Sequence, residues 1–552
     1  MNNRDDVCED VPAIMAFYKS LIEDLISLYH DYQTQSIMDL KYISQRCCAE
    51  GTRFAAQSLP LLGKAVEASL ITGEPLKVPC GFSLQKDCLL PKFLSYFFDK
   101  IFCKDGKPLC AVSAFTENPE YAGLIKVIRQ ILSSFSKYED AGCMATDDET
   151  RKGFLARMRV EPRIAVSSPI LLHARRLISD IVMDGDELAA PLAQWDSHPF
   201  GRHGPGAVAG KERGSSKWNF SLVDGSDPLL YKWTLNSHHP KGSCSATSRY
   251  CAVPKDFRSK RIICIEPKEL QFAQQGLMDV LYDLIQHHSL TMRSISFDSQ
   301  DGNYWLSKDY HNYSTIDLKD ASDTVSLKLC RLLFPKKFFS LVTRYRSRMI
   351  DVDGELVRPS CFASMGSALC FPIETLVFWA LSSATLDHYQ IPGLVRVFGD
   401  DIIVPKPGND VVIKTLSDAG FFINSAKSCS ATPVRESCGS WFFAGYDCRI
   451  TKIRSLRIKS ARAWSRLVRQ ASELSDWFPN LALHIFDRCD SYHCVHYGFD
   501  GIPKMGRTAK SRWCNDLQTH LVEVPIPFVG SRCTGLTDDT ALYAWIVGNP
   551  TR

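Results

Sequence analysis

The sharpest chemistry in this sequence lies in Val397-Phe398-Gly399-Asp400-Asp401-Ile402-Ile403, two adjacent carboxylates at a turn between two apolar, β-branched runs. Gly and Asp tolerate the backbone angles of a tight hairpin, so Leu394 to Val404 reads as two strands with the acids at the tip. Neighbouring carboxylates repel, and at the end of a buried hairpin the pair is unfavourable unless a cation neutralises it. Hard oxygen ligands favour magnesium or manganese. Taken alone, a solvated Asp-containing turn accounts for the tetrapeptide equally well.

A second element shifts that balance. Thr315-Ile316-Asp317-Leu318-Lys319-Asp320-Ala321-Ser322-Asp323 reads as a strand ending in an acid, followed by a helix from Ser322, its N-cap, to Phe334. If this strand pairs with the hairpin, Asp317 approaches Asp400 and Asp401 and completes the carboxylate set needed by two ions about 3.5–4 Å apart. Asp323 falls one helical turn on, within reach of a bound nucleotide, whereas Asp320 reads as a helix-terminus charge. Between these elements, Ser364-Met365-Gly366-Ser367 is a small-residue loop running into a helix near Phe371-Pro372, and such a loop lets backbone approach a ligand closely. Upstream, Lys255, Arg258, Lys260 and Arg261 crowd before Ile262-Ile263-Cys264-Ile265. That density suits a triphosphate, and a solvated surface run has the same composition.

Farther on, Arg449, Lys452, Arg454, Arg457, Lys459, Arg462, Arg466 and Arg469 form a basic run with no acid between Cys448 and Ser472. Arg462, Arg466 and Arg469 share one helical face near Trp464, which fits a groove tracking an RNA backbone; a merely solvated face usually intersperses Glu. Cys489, His493, Cys494 and His496 have zinc-ligand chemistry, but their spacing fits no standard paired-ligand pattern.

The elements that must position these residues follow from periodicity. Val11 to about Tyr138 has apolar residues at helical spacing, as in Phe17, Leu21, Leu25 and Leu28. Ser197 to Ser248 is rich in Gly, Ser, His and Pro, including His203-Gly204-Pro205-Gly206 and Lys241-Gly242-Ser243, and marks loops or a boundary. Beyond it, strand-like Arg261 to Ile265 and Ser314 to Leu318 alternate with helical Leu270 to Ile285, an α+β pattern. The apolar stretch Phe371 to Leu386, interrupted by Glu374, is shorter than the ~20 residues of a membrane span and reads as a buried helix. No internal repeat emerges.

The totals bound the class. With 552 residues, 45% hydrophobic and 23% charged, the chain has the composition of a soluble protein of several subdomains. Its net charge of +4 does not by itself imply nucleic acid. Twenty-one cysteines without CxxC spacing, two of them adjacent at Cys47-Cys48, suggest free thiols in a reducing cytoplasm. The acidic start Met-Asn-Asn-Arg-Asp-Asp-Val is unlike a secretory signal.

The order basic run, acid-ended strand, small-residue loop and Gly-Asp-Asp hairpin resembles that of viral RNA-directed RNA polymerases. The chain is similar to the replicase catalytic beta subunits of single-stranded RNA bacteriophages, the leviviruses, of the Q-beta type. The resemblance rests on Arg261-Ile262-Ile263-Cys264-Ile265-Glu266-Pro267, Asp317 to Leu327, Ser364-Met365-Gly366, Arg435-Glu436-Ser437-Cys438-Gly439 and His203-Gly204-Pro205-Gly206-Ala207, from about 200 to 450. Phe398 stands where the phage enzymes usually carry Tyr, and Ser367 where many carry an Asn that senses the ribose 2′-hydroxyl.

The resemblance implies a right-hand α+β polymerase: a helical N-terminal and fingers region (1–200), fingers with the basic nucleotide-binding motif (201–312), a palm with a small antiparallel sheet (313–450), and a thumb with the C-terminal region (451–552). It implies RNA-templated nucleotidyl transfer from NTPs, started without a primer, with two Mg2+ ions, or Mn2+ in their place, on Asp317, Asp400 and Asp401. Lys427 would protonate the leaving pyrophosphate. Lys255, Arg258, Lys260, Arg261, Asp323, Ser364, Gly366 and Ser367 would bind the NTP, and Arg454, Arg457, Lys459, Arg462 and Arg466 the RNA. Implied partners are template and product RNA, the host elongation factors Tu and Ts and a ribosomal RNA-binding protein, with no membrane, in the cytoplasm of the infected bacterium. A reverse transcriptase shares the paired acids but usually has a bulky aromatic where Asp323 lies; a non-catalytic RNA-binding protein would have no need of all three acids.

Overall fold

Phe17, Leu21 and Leu25 fall on one face of the helix Asp5–Leu28, and all three are fully buried. The computed structural model describes residues 5–111, 118–139, 142–220, 246–458 and 461–490, with short strands at 222–223, 243–244, 494–497, 511–514 and 519–525. The α+β class expected from the sequence is the class observed, with helices around several small, mostly antiparallel sheets. Among the described residues the cysteines are free thiols, and no helix is long and apolar enough to cross a membrane.

The first core joins the two ends of the described chain. Helices Asp5–Leu28, Gln33–Glu50, Leu59–Thr72 and Pro119–Ser133 bury their apolar faces together with Trp441 and Phe443 and with Ala461–Leu474 and Pro479–Asp490. Polar ties fix this union. Buried Asp24 accepts the N–H groups of Asn480 and Leu481, both at 2.9 Å, capping the last of these helices. Arg129 pairs with buried Glu67 at 2.8 Å and stacks 3.9 Å above the Trp441 ring.

A second core surrounds the helix Cys370–His388, which is buried on nearly every side, as its apolar composition predicts. Packed in the same core is a three-stranded sheet in the order Arg396–Phe398, Asp401–Pro405, Tyr313–Ile316, with both pairs antiparallel. A four-stranded sheet, in the order Glu355–Val357, Met349–Val352, Thr247–Pro254, Lys260–Ile265, lies against the helix Asp147–Arg159 over a third, smaller core. Lys268–His287 matches the helix read from Leu270 to Ile285.

One local expectation is corrected. Ser322 is not an N-cap: the helix Ala321–Thr324 begins after Asp320, whose backbone is left-handed at φ +49°, and the predicted run to Phe334 is broken. At the break, Ser326 bridges Cys361, Leu327 donates its N–H to Ser360 (2.9 Å), and Phe362 donates to Val325 (2.7 Å). This pairing pulls residues 325 and 326 into extended backbone, and Ser326 then caps a second helix, Leu327–Leu333.

Candidate active site

The hairpin forms where the sequence places it. Phe398 pairs with Asp401 across the two-residue turn Gly399-Asp400, with φ +62° at Gly399, and the Gly399 N–H donates to Thr375 Oγ1 at 3.1 Å. Phe398 packs edge-on against Phe371 at 5.0 Å, the packing role expected of an aromatic there. A Cβ on Gly399 would collide with the Phe371 ring. Gly399→Ala is therefore expected to shift the turn, lower the melting temperature by about 5 °C and lower any metal-dependent activity about 100-fold, as checked by steady-state rates and thermal denaturation.

On the other side of the hairpin, Ile402 pairs with Ile316, so Asp401 and Asp317 follow each other at the end of one ladder. Asp317 is enclosed by the segment Asn424-Ser425-Ala426-Lys427-Ser428. Asn424 Nδ2 donates to its Oδ2 at 2.6 Å, Lys427 Nζ lies 3.7 Å from its Oδ1, and its backbone N–H donates to Ser428 Oγ at 3.2 Å. Lys427 also bonds Glu436 at 3.3 Å. Burial alone would depress the Lys427 ammonium, but Glu436 and Asp317 outweigh it and hold the group above the ordinary lysine range.

A second tight turn supports the first. Ser437 pairs with Ser440 across Cys438-Gly439, both with positive φ, and the Cys438 N–H donates to Asp401. Burial, only partly opposed by that bond, and then the Asp400 and Asp317 charges lift the Asp401 carboxyl to about 7. Burial likewise raises Asp317, and it raises Glu374, which the Asp400 charge pushes further. Glu374 entered the sequence reading only as an interruption of an apolar stretch; a Cβ on Gly399 would lie 3.3 Å from its Oε1, which places it behind the turn.

These acids suit a hard divalent cation in donor type and in their shared deficit of positive charge, which Lys427 only partly supplies. Among the described residues no three histidine, cysteine or carboxylate groups stand close enough to hold an ion as placed. Asp317 would have to turn from Lys427 and Asn424 toward the hairpin. His493 of the zinc alternative lies outside the described residues.

A pH dependence follows from the raised acids. With a folded pKa near 7 for Asp401 against about 3.9 unfolded, the native state binds the extra proton between those values. Its stabilising contribution is therefore complete below about pH 4 and lost as pH rises through 7. In chelator, the melting temperature is expected to fall on the order of 2 °C between pH 5.5 and 7.5, and Asp401→Asn should flatten that slope.

The nucleotide-side residues gather around one loop. The Cys264 N–H donates to the Met365 carbonyl at 2.7 Å, and Gly366, at φ +118°, lies so near the Cys264 carbonyl that a Cβ would clash. The basic strand and the small-residue loop are thus in direct contact. Ser364 and Ser367 are buried, and Ser364 hydrogen-bonds Asp323, whose carboxyl burial raises. Arg157, from the helix Asp147–Arg159 and outside every motif read in the sequence, lies 3.4 Å from Asp320 and 3.5 Å from Asp323. Lys255, Arg258 and Arg261 are exposed around the preceding turn, and Lys260 pairs with Asp147 at 2.6 Å.

The basic run divides. Arg454 is exposed, Arg466 pairs with Glu139 at 3.1 Å, and Arg449 pairs with Asp447 at 2.6 Å. Arg457 turns inward to buried Asp10 at 2.7 Å and fastens the segment to the N-terminal helices. Lys459 lies outside the described residues, and Arg462 lies on the helix Ala461–Leu474.

Residues 236–472 match the family model described as RNA replicase, beta-chain. The resemblance to phage replicase beta chains holds. Asp317, Asp400, Asp401 and Lys427 all lie inside that replicase-like segment, while His203-Gly204-Pro205-Gly206 lies before it. The chain is 34% identical over 205 residues to the RNA-directed RNA polymerase beta chain of Escherichia phage MS2, covering 36% of each protein. It is 28% identical over 284 residues to the RNA-directed RNA polymerase subunit beta of Escherichia virus Qbeta, covering 50% of this chain and 47% of the relative. The match thus spans about a third to a half of these relatives' length. Among solved structures, the RNA-dependent RNA polymerase of a human picorbirnavirus aligns over 78% of this chain and 86% of its own, at 12% identity and a TM-score of 0.45.

Proposed function

We propose that this chain is the catalytic subunit of an RNA-directed RNA polymerase that replicates a viral single-stranded RNA genome by nucleotidyl transfer from NTPs to an RNA 3′ end. The observation that carries the reading is the placement of Asp317 beside the Asp400-Asp401 turn, with Lys427 against Asp317, inside the replicase-like segment. Asp317, Asp400 and Asp401 would hold two Mg2+ ions, with Mn2+ able to substitute; when bound, such ions acidify a 3′-hydroxyl and neutralise departing pyrophosphate.

The protein's own groups do the rest. Lys427, held charged between Glu436 and Asp317, is the proton donor for pyrophosphate. Asp323, Ser364 and Ser367, with the close backbone approach at Gly366, read the ribose, and Asp323 with Ser364 compensates for the absence of an Asn at 367. Lys255, Arg258, Lys260 and Arg261 neutralise the triphosphate. Arg454, Arg462, Arg466 and Lys459 line the RNA path, with Arg457 contributing through its hold on the N-terminal helices.

In this reading residues 313–450 are the palm, 1–200 and 201–312 the fingers and N-terminal region, and 451–552 the thumb. The enzyme would work in the cytoplasm of an infected bacterium, with elongation factors Tu and Ts and a ribosomal RNA-binding protein as host partners. The test is incorporation of labelled ribonucleotide against deoxyribonucleotide on an RNA template with magnesium, with and without bacterial extract. Ribonucleotide incorporation supports the reading, and dependence on extract supports host partners. Preferential deoxynucleotide incorporation would point to a reverse transcriptase, and RNA binding without pyrophosphate release to a scaffold.

A further inference from the structure

Three segments distant in sequence meet at the turn between the strands Thr247–Pro254 and Lys260–Ile265. The Phe257 N–H donates to the Ser136 carbonyl at 3.4 Å, and the Met144 N–H donates to the Phe257 carbonyl at 2.7 Å. The same stretch is tied to the basic run: Ile453 donates its N–H to Ser134 at 2.7 Å, and Glu139 donates to Arg454 at 2.8 Å. This docking gathers Lys137, Arg454, Lys255, Arg258 and Arg261, all exposed.

The acids nearby are already engaged. Asp256 accepts the N–H groups of Arg258 (2.9 Å) and Ser259 (3.0 Å) and the Ser259 hydroxyl (3.1 Å). Asp147 pairs with Lys260, and Glu139 with Arg466. Among the described residues, none of the five gathered cations lies within ion-pair distance of an acid. Partial desolvation, and then the Arg454 and Arg261 guanidinium groups, depress the Lys137 ammonium, with the Asp256 charge only partly opposing them, as expected where cations outnumber their counterions. Such a patch focuses field on a polyanion.

We infer that Lys137 and Arg454 extend the basic turn into a capture station for the triphosphate of the incoming nucleotide, an assignment that rests on the polymerase reading above. The strand geometry sets the order of events. Arg261 lies near the start of the strand Lys260–Ile265, whose Cys264, toward the other end, contacts the ribose-side loop. Lys137, Lys255 and Arg454 stand beyond its far end, roughly 13 Å or more from Cys264 at about 3.3 Å per residue. They therefore meet the triphosphate before it is seated, and they govern capture more than chemistry.

The test is the double variant Lys137→Ala/Arg454→Ala in the full chain, assayed on saturating RNA template at low and high salt. The expected result is a loss of about tenfold in kcat/KM for NTP at 50 mM salt, carried mostly by KM, shrinking at high salt and restored by Lys137→Arg/Arg454→Lys. Anisotropy of a fluorescent nucleoside triphosphate should show the same weakening, and filter binding should show a smaller loss of RNA affinity, because Arg454 is only one of several cations along the RNA path. Weakened RNA binding with unaltered KM for NTP would overturn the station and make the patch an RNA surface. No change in any readout would leave five solvated charges and overturn it too. A wild-type chain that binds the fluorescent triphosphate through Lys137 and Arg454 but incorporates no nucleotide would instead refute the polymerase reading alone.

Discussion

Asp400→Ala is expected to lower RNA synthesis by about a thousandfold or more while leaving the fold intact. Asp400 is exposed at the tip of the turn, so its removal opens no cavity, and by relieving repulsion on Asp401 and Glu374 it should slightly stabilise the metal-free chain. What is lost is one of the few hard ligands available. Transition-state charge stabilisation of several kcal/mol, at 1.36 kcal/mol per decade, sets the expected size. The check is single-turnover nucleotide incorporation beside a melting curve and an RNA-binding isotherm. A variant that retains more than a tenth of wild-type activity would remove Asp400 from the metal site.

The second large effect is expected at Arg435, which the sequence offered only as the first residue of a signature. Its side chain is fully buried. Its guanidinium donates to the carbonyls of Tyr313 (2.6 Å), Thr432 (2.6 Å), Val434 (2.5 Å) and Tyr310 (2.7 Å), joining the strand Val434–Ser437 to the strand Tyr313–Ile316 that leads into Asp317. Burial depresses it to about 10, yet it stays charged at neutral pH. Arg435→Ala strands four carbonyls and leaves a void, a loss on the order of 4 kcal/mol in this region. Arg435→Lys should rescue little, because a point charge cannot span the fork. The readout is a lowered melting temperature with faster proteolysis around residues 305–320 and 425–440; an unchanged pattern would mean that water replaces the guanidinium.

The elements carrying the acids were legible because their signals are local. A Gly-Asp turn between β-branched runs needs no tertiary partner to be read, and neither does an apolar stretch such as Phe371 to Leu386, found as the buried helix Cys370–His388. The break at Val325-Ser326 was not legible. Nothing in Ala321 to Leu333 forbids a continuous helix, and only pairing with Ser360 and Cys361 interrupts it. Tertiary hydrogen bonds override propensity there.

The same division runs through the site. Asp317, Asp400 and Asp401 announce themselves because clustered acids on strands are unusual, and Ser364 to Ser367 because small residues precede a helix. Arg157, Lys137 and the Cys438 N–H were missed, since each acts across a contact that spacing does not encode: 166 residues separate Arg157 from Asp323. Composition overstated the basic run. Arg457 faces buried Asp10, a partner 447 residues away.

The core shared by the N-terminal helices and the helices after residue 461 also constrains when the protein can fold. The helix Asp5–Leu28 packs on Pro479–Asp490 as well as on Gln33–Glu50, so part of its apolar face stays unmatched until more than 400 further residues have left the ribosome. At about 20 residues per second, that interval is on the order of 20 s. Folding is consequently a late, largely post-translational event, and exposure during the wait makes the nascent chain a natural client for chaperones.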